Sequence, residues 1–184
     1  MAILLKNVRL SYPSLFKASA YGDAEPKFGA TFLIEKDSDT HKALVDEIRK
    51  VATAAFGDKA KAILTKQDSG QRKLVKDGDG PDGQNGEGES KGYEGCVFIK
   101  ASNKAAPKVV DTKRRDLTEA DGIPYAGCFV NVQIDLWAQN NKFGQFINCK
   151  LLAVQHWADG EAFGTASRAD INAFDMAEDE GSEW

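Results

Sequence analysis

Cys128-Phe-Val-Asn-Val-Gln-Ile-Asp-Leu-Trp-Ala-Gln139 is the stretch from which the fold can be read. Cys128, Val130, Val132, Ile134, Leu136 and Ala138 alternate with Phe129, Asn131, Gln133, Asp135, Trp137 and Gln139. A period of two puts the first set on a core face and the second on a polar outer face with an aromatic ring near each end. Gln139-Asn-Asn-Lys-Phe-Gly144 supplies turn residues, so residues 145–157 are expected to return as the hairpin partner. In that partner Ile147, Cys149, Leu151 and Ala153 should face in, and Phe146, Asn148 and Lys150 out.

Working outward, residues 3–12, 27–35 and 95–101 are also rich in strand formers. Between the second and third of these runs, Asp37 and Asp39 offer helix N-caps. Leu44, Ile48, Val51, Ala52, Ala55 and Phe56 follow at helical spacing, and Gly57 stands where a C-terminal cap belongs. A shorter helix is expected over 59–64. Five long strands, one main helix and no βαβ alternation predict a mainly β chain. The architecture expected is a five-stranded, antiparallel, partly closed barrel of the oligonucleotide-binding (OB) type, capped by the helix. A β-sandwich is the alternative.

With 184 residues, 42% of them hydrophobic, the chain holds enough for one core. We place the domain at 1–164 and a disordered acidic tail at 165–184. Lys6 and Arg9 interrupt the apolar N-terminus, which excludes a signal peptide or membrane helix as its reading. Cys96, Cys128 and Cys149 are odd in number and widely spaced, as expected of reduced core thiols. Without a Cys-x-x-Cys, and with His41 and His156 far apart, no metal site is expected. No catalytic constellation stands out, so neither an enzyme nor a cofactor is predicted. Residues 77–92, with six glycines and five carboxylates, read as a flexible loop and fit neither a phosphate-binding nor a calcium loop.

Charge is unevenly distributed. The last fifteen residues carry six acids and no base; removing these six from 28 leaves 22 against 24 Lys+Arg, a weakly basic body. Such a body with an acidic string suggests a polyanionic ligand that the tail imitates. Between residues 91 and 115 seven cations face only Glu94 and Asp111. Lys100, Lys104, Lys108, Lys113, Arg114 and Arg115 are the candidate phosphate contacts. Phe98 shares an outward strand face with Lys100, opposite Val97 and Ile99, and Trp137 points outward on its own strand. These two, with Tyr93, Tyr125 and Phe146, are the candidate base-stacking rings, because bases stack on aromatics while Lys and Arg meet phosphates.

Four blocks occur in order: Asn7-Val-Arg-Leu-Ser-Tyr-Pro-Ser-Leu-Phe16, Lys27-Phe-Gly-Ala-Thr-Phe-Leu-Ile34, Lys104-Ala-Ala-Pro-Lys-Val-Val-Asp111 and Tyr125-Ala-Gly-Cys-Phe-Val-Asn131. Together they resemble the single-stranded DNA-binding proteins of tailed bacteriophages, an OB-fold family with acidic C-termini. The likeness spans about residues 3–164. It implies a non-catalytic protein that coats single-stranded DNA (ssDNA) without sequence preference in phage replication, recombination and repair, in the cytoplasm of the infected bacterial host. It also implies a tail, here Asp175, Glu178, Asp179, Glu180, Glu183 and Trp184, that competes with DNA and recruits replication or recombination proteins. The family's basic, proline-containing segment carries over to Lys104, Pro107 and Lys108. Two other readings stay open: an interaction module or DNA mimic acting on a host enzyme, and a strand-annealing recombination accessory. A homodimer is also left open.

Overall fold

The computed structural model describes residues 1–20, 22–81 and 92–163. In chain order these form β1 (Ala2–Ser19), β2 (Lys27–Glu35), α1 (Asp39–Phe56), α2 (Ala60–Ser69), β3 (Val75–Asp77), β4 (Cys96–Asn103), β5 (Lys108–Val110), β6 (Phe129–Asn141) and β7 (Gly144–Ala158).

Five strands close the barrel. β4 pairs with β2, β2 with β1, β1 with β6 and β6 with β7, each antiparallel. β7 then returns to β4 in parallel, with Ser102 beside Lys150. The five-stranded barrel expected from the sequence is present, and one parallel pair closes it: in a ring of five, strand direction cannot alternate at every contact. β3 adds to the outer edge of β4, and β5 runs parallel along β7. Each has three residues, too few to show a period.

The alternation read in β6 holds: Cys128, Val130, Val132, Ile134 and Leu136 are fully buried. Phe32, Ile34, Ile99, Ile147 and Leu151 join them from the other strands. Each such side chain contributes roughly 1.5–3 kcal/mol by leaving water. On β7 the expected inward row breaks after Leu151. A register shift between Gln133 and Ile134 of β6 passes over Leu152, so Val154, not Ala153, enters the core.

α1 begins on Ser38, whose hydroxyl accepts the His41 amide hydrogen at 3.2 Å; Asp39 is the first helical residue rather than the cap. Leu44, Ile48 and Ala52 plug the barrel, while Ala55, expected inward, is exposed. α2 is longer than the 59–64 expected. It is pinned to β7 by buried Gln67, which donates to the Ile147 carbonyl (2.8 Å) and accepts the Ile147 N–H (2.9 Å). The same amide donates to the Arg72 carbonyl at 3.1 Å, fixing where the next residues emerge.

The segment expected as a loop from residue 77 is placed at both ends. The Lys36 ammonium bridges Asp77 and Asp79, and the Gly95 N–H donates to Asp79. Residues 82–91 of that segment, and the tail 165–184 with Asp175, Glu178, Asp179, Glu180, Glu183 and Trp184, lie outside the described residues.

Candidate nucleic-acid interface

β4 and β5 form one ribbon alongside β7, and three of the expected phosphate contacts, Lys100, Lys104 and Lys108, are exposed along it. Lys113, Arg114 and Arg115 do not share its middle. They sit in a turn beyond Val110, which pairs with Gln155. Along β7 that is nine residues from Phe146, or about 30 Å at the usual rise. The turn is organised by Asp111, whose carboxylate accepts the Lys113 and Arg115 amides and the Arg115 guanidinium, holding its carboxyl below the usual range. Several cations are already neutralised: Lys104 by Glu25 (2.6 Å), Lys108 by Asp116 (2.9 Å) and Arg115 by Asp111 (2.7 Å). Lys100 has no carboxylate partner among the described residues.

Lys100 instead joins a cleft of about 260 Å³ with Arg72, Lys73 and Lys76, floored by Ile147, Asn148 and Cys149. Desolvation there, with the nearby Lys76 charge, pushes the Lys100 ammonium below its ordinary pKa. Concentrating like charges is unfavourable unless an anion occupies the cleft. The Arg72 guanidinium lies 4.8 Å from the centre of the Phe146 ring, within cation–π range. In the neighbouring strand Asn148 pairs with Trp137, 42% exposed, and Lys150 with Asp135. At the hairpin tip Phe143 is 70% exposed with the Lys142 ammonium 5.1 Å from its ring. Arg72, Lys73, Lys76, Lys150 and Phe143 were missed from the sequence. The run Arg72-Lys-Leu-Val-Lys76 was a visible signal; Phe143 was read only as a turn residue.

The candidate rings separate into two sets. Trp137 faces solvent and Phe146 is half-buried under Arg72, as an outward register requires. Phe98 does lie opposite Val97 and Ile99, but the expectation that it is exposed is overturned: it is 3% accessible. Tyr93 (6%) covers it edge-on at 5.3 Å and donates its hydroxyl to Ser11 at 2.7 Å. Both are sealed with Leu33 and Phe163 in a satellite cluster outside the barrel. Tyr125 is half-buried against the core, its hydroxyl donating to the Gly160 carbonyl at 2.9 Å. The outer face of β2 and β4 is therefore partly roofed by the protein itself.

The family described as Enterobacter phage Enc34, ssDNA-binding protein, matches residues 1–183. The chain belongs to the Enc34 phage ssDNA-binding protein family. A putative protein, p50, of Acyrthosiphon pisum secondary endosymbiont phage 1 is 34% identical over 190 residues, covering 98% of this chain and 97% of its own. The Enc34 ssDNA-binding protein, solved in complex with ssDNA, superposes with a TM-score of 0.69 at 31% identity over 89% of each chain. Gp2.5, the ssDNA-binding protein of bacteriophage T7, shares the fold at a TM-score of 0.56 and 16% identity, over 100% of this chain and 98% of its own. Against this Enc34 family background, no described helix is long and apolar enough to cross a membrane. No group of three His, Cys, Asp or Glu side chains among the described residues is arranged to hold a metal ion.

Proposed function

We propose that this protein binds single-stranded DNA without sequence preference, non-catalytically, during phage DNA replication, recombination and repair in the host cytoplasm. Family membership supports the ligand class. The observation that carries the site is the cleft of Arg72, Lys73, Lys76 and Lys100, in which Arg72 lies over Phe146 beside exposed Trp137.

In this reading the strand runs along the seam between the β4–β5 ribbon and β7. Cleft cations and Lys150 meet phosphates, with Lys104 and Lys108 extending the track and Lys113, Arg114 and Arg115 marking its far end. Bases stack on Trp137, Phe146 and Phe143. Stacking rings take any base because every base has a π-face, so sequence preference is weak. The acidic tail acts as a tethered competitor and as a recruiter of replication or recombination proteins. Phe163, the last described residue, packs against the cluster that contains Phe98, and Phe98 is two residues from Lys100 on the same face of β4. A tail starting there is held at high effective concentration beside the cleft.

A salt titration with oligo-dT and duplex DNA, followed through Trp137 fluorescence, tests the reading. Neutralising about five phosphates gives a log–log slope of about −3.5 for a single strand, roughly a hundredfold loss from 50 to 200 mM salt. No response to oligo-dT refutes ssDNA binding and favours an interaction module. Truncation to residues 1–169 is expected to tighten binding, most at low salt; unchanged affinity refutes tail competition alone.

A further inference from the structure

We propose that Trp157, at the end of the fifth barrel strand, stacks a base of single-stranded DNA beside the turn that carries Lys113 and Arg114. This rests on the ssDNA-binding reading above and adds to it a second anchoring point. Trp157 stands eleven residues along β7 from Phe146, or about 36 Å at the usual strand rise.

A break in the strand ladder aims the ring outward. Phe129 of β6 pairs with Ala158 and Val130 with His156, so Trp157 is the extra residue of a bulge. A bulge leaves one residue unpaired and redirects its side chain. Trp157 is 50% exposed and packs against neither hydrophobic cluster. Its neighbour His156 is half-buried, with Nε2 3.4 Å from the Asp159 carboxylate. A half-exposed indole leaves a large apolar face in water. A nucleobase supplies the stacking partner that such a face lacks.

Charge complements the ring. β5 runs parallel to β7 with Val110 beside Gln155, so the chain leaving β5 enters its turn on the side where Trp157 lies. The Gln155 side chain ties the two together, donating to the Asp111 carbonyl at 3.2 Å. Within the turn the Arg114 N–H donates to the same carbonyl at 3.0 Å, and the Asp111 N–H donates to the Arg115 carbonyl at 2.9 Å. These bonds, with those accepted by the Asp111 carboxylate, hold Arg114 at a φ of 63°. A side-chain-bearing residue rarely adopts that left-handed conformation, so the turn is fixed by its surroundings rather than by local preference. Arg115 is engaged by Asp111, but Lys113 and Arg114 are exposed, and neither meets a carboxylate among the described residues. The other carboxylates of this region are occupied: Asp116 holds Lys108, and Asp159 accepts the Tyr125 hydroxyl at 3.3 Å. A fixed turn with two unneutralised cations, next to an outward ring, matches the alternation of phosphate and base along a single strand.

Oligo-dT length separates this anchor from the cleft. Four nucleotides at the 3.4 Å B-form rise cover about 14 Å, and even twice that falls short of the span. The test is anisotropy of fluorescein-labelled dT4 and dT20 titrated with the full-length protein. Trp157→Ala is expected to weaken dT20 binding about tenfold or more, and to change dT4 binding, which the cleft cations hold, less than about twofold. Trp157→Phe, which keeps a ring, should recover most of the dT20 affinity. Lys113→Gln with Arg114→Gln should flatten the dT20 salt slope by about 1.4, at 0.7 per lost contact, and leave the dT4 slope unchanged. Equal dT20 affinity in Trp157→Ala and the unmodified protein overturns the anchor alone. So does a loss shared equally by dT4 and dT20, which is what a merely structural ring predicts. An unchanged dT20 slope in the Lys113–Arg114 pair overturns it independently of whether Trp157→Ala folds. Failure of dT20 to bind the unmodified protein overturns the ssDNA reading and the anchor with it.

Discussion

The two outer walls of this barrel present the same ingredients, cations beside aromatic rings, in opposite states. On the β6–β7 wall Trp137 and Phe143 are open and Phe146 is half-covered by Arg72, next to a cleft of four cations. On the β1–β2–β4 wall Tyr93 and Phe98 are buried, and Arg9 is spent on the Gly127 and Glu161 carbonyls. The strand register puts equivalent side chains outward on both walls. What differs is whether another segment passes over them: residues 92–95 and 159–163 roof one wall, whereas the hairpin tip leaves the other bare. An outward-facing position on a strand is thus not the same as an accessible one.

The comparison can be broken most forcefully at Phe98. If it is a packing residue, Phe98→Ala costs about 3–5 kcal/mol of unfolding free energy by urea denaturation. A variant of near-native stability would put Phe98 back among accessible rings. On the open wall, Arg72→Ala with Lys100→Ala is expected to weaken oligo-dT binding by roughly a hundredfold at low salt, since each charge-assisted contact is worth about 1.5 kcal/mol. The salt slope should flatten by about 1.4, or 0.7 per lost contact. Lys108→Ala, whose ammonium is already engaged by Asp116, should change affinity less than threefold. Equal effects at the two places would erase the distinction between cleft and ribbon.

Trp137→Ala should cost about 1–3 kcal/mol in oligo-dT affinity with little change in Tm, because stacking contributes on that scale and the ring is largely outside the core. The smallest effect concerns pH and tests whether both walls are equally dry underneath. Burial pushes Cys149, beneath the open cleft, up to about 12 and Cys128, on the roofed side, up to about 11. The folded chain keeps these protons after an unfolded thiol, near 8.5, has lost its own. Stability is therefore fully present below about pH 8.5 and falls as pH rises toward the folded values, by at most about 1.4 kcal/mol per pH unit for each thiol. Urea midpoints between pH 8 and 10.5 measure the slope, and Cys149→Ala should flatten it.

Much of the fold was legible because side-chain period encodes it directly. The β6 core face, the helix after Glu35 and the hairpin at residues 139–144 all follow from local spacing. β3 and β5 were not legible, since three residues carry no period, and neither was the parallel closure, a property of the whole ring. The site was read in part. Trp137 and Phe146 fall on the open wall as their strands require, and Lys100 lies at the β4–β7 seam beside it, whereas Arg72, Lys73 and Lys76 entered only when Gln67 fixed the end of α2 against β7. Phe98 and Tyr93 were misassigned because nothing local announces a roof supplied by Phe163, 65 residues further on from Phe98.

Sequence alone determined which side chains leave each strand on which side, because the pleat alternates regardless of surroundings. It also determined the weakly basic body and acidic tail, since formal charge needs no coordinates. Tertiary structure decided which of those outward groups meet solvent, which cations are neutralised by their own carboxylates, and which ones gather at a single cleft. Those outcomes depend on contacts between segments far apart in the chain, whose free energies are properties of the assembled barrel.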